Sequence, residues 1–561
     1  MNHKKVVLLD GYVDEPSCLG VPPYISPYIR YTYGALLHAG MKEEYIEYYL
    51  VDKLRSNIQE SFMELLKADL IVIIAGTTVP GKYMGGKPIS VKEIMQVADK
   101  LKLHNETGKN NLGPKILLGG PILLTLNKEV VSRLENCIDA FLDETGAIGL
   151  FEYMNEKKLS QNEILENINQ WAKTGAVLTT RHPNYPNLVC EIETYRGCLR
   201  ADNCSFCSEF LKQVLYTRSS EDIAKEVESL YFSGNKYFRI GAQTDLFMYG
   251  AIKENRILKP NPDIIQKLYT QIREKAPDLS VLHMDNANPA TLSRFKHESK
   301  EIMKVITSHN TSGDTAAFGL ESTDKKVLEA NNIGTYPEET MEAIKLMNEI
   351  GGEREGGLPK LLPGINLLHG LKKEDDETYQ LNYEFLKSIL DNGFLLRRIN
   401  IRQVIPVPGF EKVNINEYKF NQYKDKINKD INKPMLEKVF PLGTIITHVL
   451  IERIEGNLSY GRQLGTYPIL IGIPGKHEPG CFVDVKIIDH GYRSITGLKY
   501  PFNINEASIE ELKALPGIGK KRASSLFIQK PFRNFEDIKS NLDNSFKPED
   551  LKRLNKCIDS Y

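Results

Sequence analysis

The chain has 561 residues, 41% hydrophobic and 26% charged, a length that predicts three to five domains and excludes a single small module. Its 72 Lys plus Arg balance 73 Asp plus Glu to a formal net charge of -1, so any nucleic-acid contact must come from a local patch and not from bulk charge. The 8 cysteines are too sparse for a disulfide scaffold. Three of them, Cys198, Cys204 and Cys207, crowd into one short stretch, which points to a metal site in a reducing compartment. The opening apolar run Val6 to Leu9 stops at Asp10 and is no signal peptide, and no stretch approaches the roughly 20 apolar residues of a membrane helix. The expectation is a cytoplasmic protein with no membrane partner.

Residues 1–165 alternate short apolar runs, Val6 to Leu9, Leu70 to Ala75 and Lys115 to Leu118, with amphipathic stretches. Strands of this kind ending at glycines, such as Gly76 and Gly119-Gly120, predict a Rossmann-like, doubly wound parallel sheet. From 185 to 430 the rhythm is that of a β/α barrel. Six strands are expected: Val189 to Thr194, Tyr237 to Gly241, Val281 to Met284, Thr315 to Leu320, Gly364 to Leu368 and Arg398 to Ile405. Residues 411–440, rich in Lys, Asn and Asp, read as an exposed connector. Between 441 and 500, Ile469 to Ile473 and Phe482 to Ile488 lie among glycines and predict a small antiparallel β-barrel. Residues 501–561 turn helical around Leu515-Pro516-Gly517-Ile518-Gly519-Lys520-Lys521-Arg522-Ala523.

The motif from Gly197 to Glu209 follows the first expected barrel strand. Three thiolates on one loop can hold three irons of a [4Fe-4S] cluster and leave the fourth iron with an open position. Structural zinc is the alternative, but it takes four ligands, and no histidine follows at finger spacing. The Cys204-Ser205-Phe206-Cys207 pattern after a strand resembles the radical SAM (S-adenosylmethionine) superfamily. Five residues separate Cys198 from Cys204, against the usual three.

That resemblance implies a partial (β/α)6 TIM barrel, a [4Fe-4S] cluster on the three cysteines, SAM on the open iron and a 5'-deoxyadenosyl radical as the reactive product. It places Phe206 beside the adenine. Gly241-Ala242-Gln243 stands where the family receives SAM's amino group. Phe318-Gly319-Leu320-Glu321-Ser322 is similar to a segment of methylthiotransferases and oxygen-independent coproporphyrinogen oxidases, which puts Glu321 near SAM. Gly370, with Glu374 after it, corresponds to an element packing near adenine. A helix N-terminal carboxylate favoured by the dipole is an equal alternative for Glu321 and Glu374. Asp245, Asp285, Asn286 and Arg402 are substrate-facing candidates at strand ends, though such residues are more often caps or ion pairs. A reductant such as ferredoxin or flavodoxin is implied as a partner.

The N-terminal "KILLGGP" region resembles the cobalamin-binding-like domain that precedes many radical SAM enzymes. The Asp-x-His-x-x-Gly loop that supplies a histidine to cobalamin is not evident, so this cofactor is left open. "VKIIDHGYRSITG" is similar to the small RNA-binding, TRAM/OB-like barrel of tRNA methylthiotransferases. Those enzymes carry three further N-terminal cysteines, whereas Cys18 and Cys137 alone stand here, which disfavours a second cluster and sulfur insertion. Cys190, Cys481 and Cys557 read as buried structural thiols. Phe502 to Ala523 resembles a helix-hairpin-helix, in which Gly517, Gly519, Lys520, Lys521 and Arg522 would meet a nucleic-acid backbone. The leading expectation is a radical SAM enzyme that modifies tRNA or rRNA. A cobalamin-dependent methyltransferase acting on a protein or small molecule, and a non-catalytic nucleic-acid-binding Fe-S protein, are the alternatives.

Overall fold

A computed structural model describes residues 5–13, 19–21, 23–77, 84–107, 113–200, 203–542 and 546–561. Cys18, and Ala201 and Asp202 of the cysteine motif, lie outside the described residues.

The first sheet is five-stranded and parallel, in the order Ile46–Leu50, Val6–Asp10, Leu70–Ile74, Lys115–Gly119, Ala140–Phe141. The apolar runs are legible as strands because a sheet covered on both faces buries nearly every residue; Val6–Asp10 is buried throughout. The strand order reverses beside Val6–Asp10, which creates the crevice typical of doubly wound sheets.

The barrel holds all six expected strands, as Val189–Glu193, Tyr237–Gly241, Val281–Met284, Asp314–Glu321, Leu361–His369 and Arg398–Gln403, paired in parallel. A seventh, Tyr24–Ile25, comes from the N-terminal region and pairs with Val189 and Cys190 on the barrel's leading edge. The third strand passes from one half of the barrel to the other at Asp285, because Val281–Met284 pairs backward and Asn286–Ala287 forward. Part of the lumen is charged: Glu191, Arg239 and Asp285 meet there, with Tyr24 donating to Glu191 and Arg239 paired to Asp285.

Residues 411–440 are not an exposed connector. Glu417–Ile427 and Lys433–Val439 are helices joined by a π-turn, and Phe420, Tyr423, Ile427, Ile431, Met435 and Val439 are buried in the main core. Their spacing of three or four residues is a helical stripe that the dense Lys and Asn content masks.

The small barrel is closed, running Ile445–Glu455, Leu458–Gln463, Leu470–Pro474, Ser494–Lys499, Phe482–His490 around its circumference. One pairing is parallel, Leu470–Pro474 with Ser494–Lys499. Helices Ile509–Ala514, Lys520–Gln529, Phe535–Ser540 and Pro548–Cys557 end the chain around their own apolar core. Among the described residues no helix is long and apolar enough to cross a membrane. Cys190 and Cys557 are buried, whereas Cys481 is exposed, which corrects the reading of Cys481 as a core thiol. It sits at a turn, one residue before the strand that should have buried it.

Candidate active site

The three cysteines hang from a closed stem. Tyr195–Arg196 pairs antiparallel with Tyr216–Thr217, and the whole cysteine loop lies between these segments. Within it the Cys207 N–H donates to the Cys204 carbonyl at 3.1 Å, folding Ser205 and Phe206 into a tight turn. Ser205 fastens that turn: its N–H and hydroxyl donate to the Asn331 carbonyl and side chain at 3.0 and 2.9 Å. Phe206 and Cys204 pack against a small apolar cluster that includes Val327, Leu328, Leu371 and Val404, beyond the ends of strands four to six.

Burial pushes the Cys207 thiol up to about 12, although the Glu209 N–H donates to its sulfur. Cys204 is raised as well, first by burial and then by the charge of Glu321, while Arg200 opposes this by donating to its sulfur at 3.3 Å. Such thiols stay protonated until a metal takes the proton's place. Cys198 and Cys204 both act electrostatically on Cys207, yet among the described residues no three metal-binding side chains close on one ion. A cubane bonds each thiolate to a different iron, so its ligands stand wider than those round a single zinc. Three free thiols on one loop are the donor set a [4Fe-4S] cluster takes.

Glu321 ends the fourth strand at a register shift, with φ 65°. A non-glycine residue held in this region signals local strain that the surrounding fold maintains. Burial lifts its carboxyl to about 8, partly countered by Arg402, and among the described residues it makes no hydrogen bond or ion pair. It is thus a carboxylate that a bound cation would satisfy.

The neighbouring candidates are more occupied. A Cβ at Gly241 would meet the Glu191 carboxylate at 2.2 Å, so a side chain there would have to displace that lumen charge. The Gln243 side chain accepts from Thr194 at 3.3 Å and donates to the Ile240 carbonyl at 3.2 Å, while Ala242 between them has φ 61°. Gly370 donates its N–H to Glu374 at 2.6 Å, and Leu371 and His369 donate to the same carboxylate at 3.2 and 2.7 Å. Glu374 therefore locks the turn after the fifth strand.

Of the substrate-facing candidates, Asp245 accepts from Thr291 at 2.7 Å and from the Phe247 N–H at 3.1 Å. Asn286 donates to the Gln243 carbonyl at 3.0 Å and Arg402 to Asn400 at 3.2 Å. Asp285 is held by Arg239 and by Tyr467 of the small barrel.

In the C-terminal hairpin, Gly517 has φ 73°, and a Cβ there would meet Phe546 at 2.7 Å. Arg522 donates to the Gly517 carbonyl at 2.9 Å and stacks over Phe546 at 5.0 Å, so it braces the turn. Gly519 caps the helix Lys520–Gln529 without a side-chain hydrogen bond, and Lys520 and Lys521 project into solvent.

Sequence reasoning missed Glu144, Arg196 and Tyr467. Arg196 stands just before Gly197-Cys198, which is its one sequence signal. The other two owe their roles to contacts between distant segments.

A radical SAM superfamily profile matches residues 192–386, and a helix-hairpin-helix profile matches residues 503–527. A protein of Archaeoglobus fulgidus described as uncharacterised is 41% identical over 94% of this chain and 95% of its own. The ribosomal protein uS12 methylthiotransferase RimO of Thermosipho africanus is 23% identical over 51% of this chain and 62% of its own. Among solved structures, the radical SAM methyltransferase TsrM of Kitasatospora setae aligns with a TM-score of 0.48 at 16% identity, covering 71% of this chain and 73% of its own. With its three-cysteine loop seated at the mouth of a six-stranded barrel and the family profile covering that loop and the second to fifth strands, the chain belongs to the radical SAM superfamily, as an enzyme that uses a [4Fe-4S] cluster and SAM and carries a C-terminal helix-hairpin-helix.

Proposed function

We propose that this radical SAM enzyme modifies a nucleic acid, tRNA or rRNA. The observation that carries the reading is the helix-hairpin-helix at 503–527, which presents Lys520 and Lys521 to solvent, and it is supported by a closed five-stranded barrel that resembles an RNA-binding module in sequence and contacts the catalytic barrel through Tyr467. A hairpin of this kind takes hold of phosphates without reading bases.

Cys198, Cys204 and Cys207 would hold the cluster and Glu321 the ammonium of SAM. The bound pair supplies a 5'-deoxyadenosyl radical able to take hydrogen from a substrate carbon. Phe206 packs with Cys204 against the apolar residues around it, and the Ser205–Asn331 bonds fix the turn that carries two of the thiols. Positioning of this kind is the protein's share of such catalysis.

The test is incubation of reconstituted enzyme, SAM and reductant with RNA from cells lacking the protein, followed by mass analysis of nucleosides. A nucleoside of changed mass, formed together with 5'-deoxyadenosine, supports the reading. Turnover of SAM that leaves every nucleoside unchanged, with a peptide or small molecule altered instead, overturns it.

A further inference from the structure

We infer that Glu144 is the positioning residue through which the N-terminal sheet holds the cysteine loop in register for its cluster. The inference rests on the assignment of Cys198, Cys204 and Cys207 as cluster ligands.

Glu144 follows the last strand of the N-terminal sheet, Ala140–Phe141, and is 5% exposed. One of its oxygens accepts from the backbone N–H groups of Gln213 and Val214, at 3.0 and 3.2 Å. The same oxygen stands 3.5 Å from the Arg196 guanidinium. Arg196 immediately precedes Gly197-Cys198, and Gln213 and Val214 follow Cys207 on the way back to the stem. A single carboxylate from another domain thus grips both legs of the loop.

Arg196 is itself fixed. It donates to the Tyr28 hydroxyl at 2.6 Å and to Glu193 at 3.3 Å, and Tyr28 donates to Glu193 at 2.8 Å. Tyr216, across the stem, donates to the other Glu193 oxygen. Arg196 and Glu193 side chains have no exposed surface. Tyr28 lies on the helix Pro27–His38, so two N-terminal elements meet the loop at its base.

The pattern is that of a clamp on a loop more than of a stabilising ion pair. A buried ion pair by itself adds little stability, because desolvation offsets the attraction. Backbone N–H groups on a loop, in contrast, need an acceptor to hold them still, and leaving them unmade is expensive. Ligands held slightly out of place lose much of their function even when all are present.

The experiment compares wild type, Glu144→Ala, Glu144→Gln and Gln213→Pro as full-length proteins. Glutamine keeps an acceptor oxygen for the two N–H groups. Proline deletes one donor without touching the buried charges, and Lys212 before it is already extended at φ -62° and ψ 125°. Amide exchange of apo protein is followed at residues 203–215, and the reduced, reconstituted cluster is examined by electron paramagnetic resonance with and without SAM.

The expected result is exchange at least tenfold faster in the loop of Glu144→Ala, with the strands at 189–193 and 237–241 unchanged. The spectral change that SAM induces should be lost in Glu144→Ala, reduced in Gln213→Pro and largely restored in Glu144→Gln. Loop exchange and SAM response equal to wild type in both Glu144→Ala and Gln213→Pro overturn the inference while leaving the cluster assignment intact. Wild-type protein that takes up no cluster overturns the assignment and the inference together. If Glu144→Ala does not fold, Gln213→Pro decides between the same two results.

Discussion

Tyr467, on the loop between Leu458–Gln463 and Leu470–Pro474, donates its hydroxyl at 2.6 Å to Asp285, the residue where the third strand crosses between the two halves of the catalytic barrel. The ring is flanked by two guanidiniums, Arg398 at 3.9 Å and Arg239 at 5.4 Å from its centroid. Thr466 beside it donates its N–H to His283 at 3.0 Å and its hydroxyl to the Met284 carbonyl at 2.8 Å. The small barrel is therefore joined to the catalytic barrel through polar contacts made inside the lumen.

Tyr467→Phe removes one hydrogen bond to a buried carboxylate and should cost about 1–3 kcal/mol. Tyr467→Ala also removes the ring from between the guanidiniums and should cost more. Denaturant unfolding checks the order, and proteolysis of folded protein should show faster cleavage near residues 440–470 in Tyr467→Ala. Equal stability of all three proteins would mean that this contact does not hold the modules together.

Stability should also report the buried carboxyls. Asp314, 1% exposed, is lifted from 3.8 to about 7 mainly by burial, against hydrogen bonds from Met284, Asn310 and Thr315. The folded state then binds a proton that the unfolded state has released, so the contribution of Asp314 to stability is fully present below pH 4 and is lost as pH rises through this window. At about 1.4 kcal/mol per pKa unit the loss reaches at most roughly 4 kcal/mol. Asp10 and Asp245, each raised to about 6 by burial, act in the same direction. Asp314→Asn should flatten the stability profile between pH 4 and 7 relative to wild type, as read by urea unfolding at a series of pH values. Parallel profiles would contradict the protonated, buried state of Asp314.

Charge in the terminal hairpin divides by role. Lys520→Glu with Lys521→Glu should weaken RNA binding at least tenfold at moderate salt and lower the salt dependence by about two units of log–log slope, with no change in melting. Arg522→Ala should lower the melting temperature of the C-terminal helices, since Arg522 supports Gly517 and Phe546. Filter binding across a salt series, alongside thermal unfolding, separates the two effects. A double variant with wild-type binding would remove the hairpin from the nucleic-acid surface.

The six barrel strands are legible in the sequence because apolar runs bounded by glycine and polar residues keep their character in a sheet buried on both faces. Tyr24–Ile25 is not, since two residues carry no periodicity and their partner, Val189–Cys190, lies far along the chain. The helices at 417–439 are hidden by composition, although the apolar stripe is present. In the site, the clustering of the three thiols is visible in the sequence because all three stand on one short loop. The carboxylate of Glu191 beside Gly241 is not legible, because it comes from a neighbouring strand. Glu144 cannot be read at all, because a carboxylate that accepts from backbone N–H groups far along the chain leaves no local pattern.

The central claim is that the loop of Cys198, Cys204 and Cys207 supports reductive cleavage of SAM. The direct measurement is anaerobic reconstitution with iron and sulfide, then addition of dithionite and SAM, with 5'-deoxyadenosine quantified for wild type and Cys204→Ala. The account predicts formation by wild type and none above background in the variant. Equal 5'-deoxyadenosine from both proteins, or none from wild type carrying a full [4Fe-4S] spectrum, would contradict it.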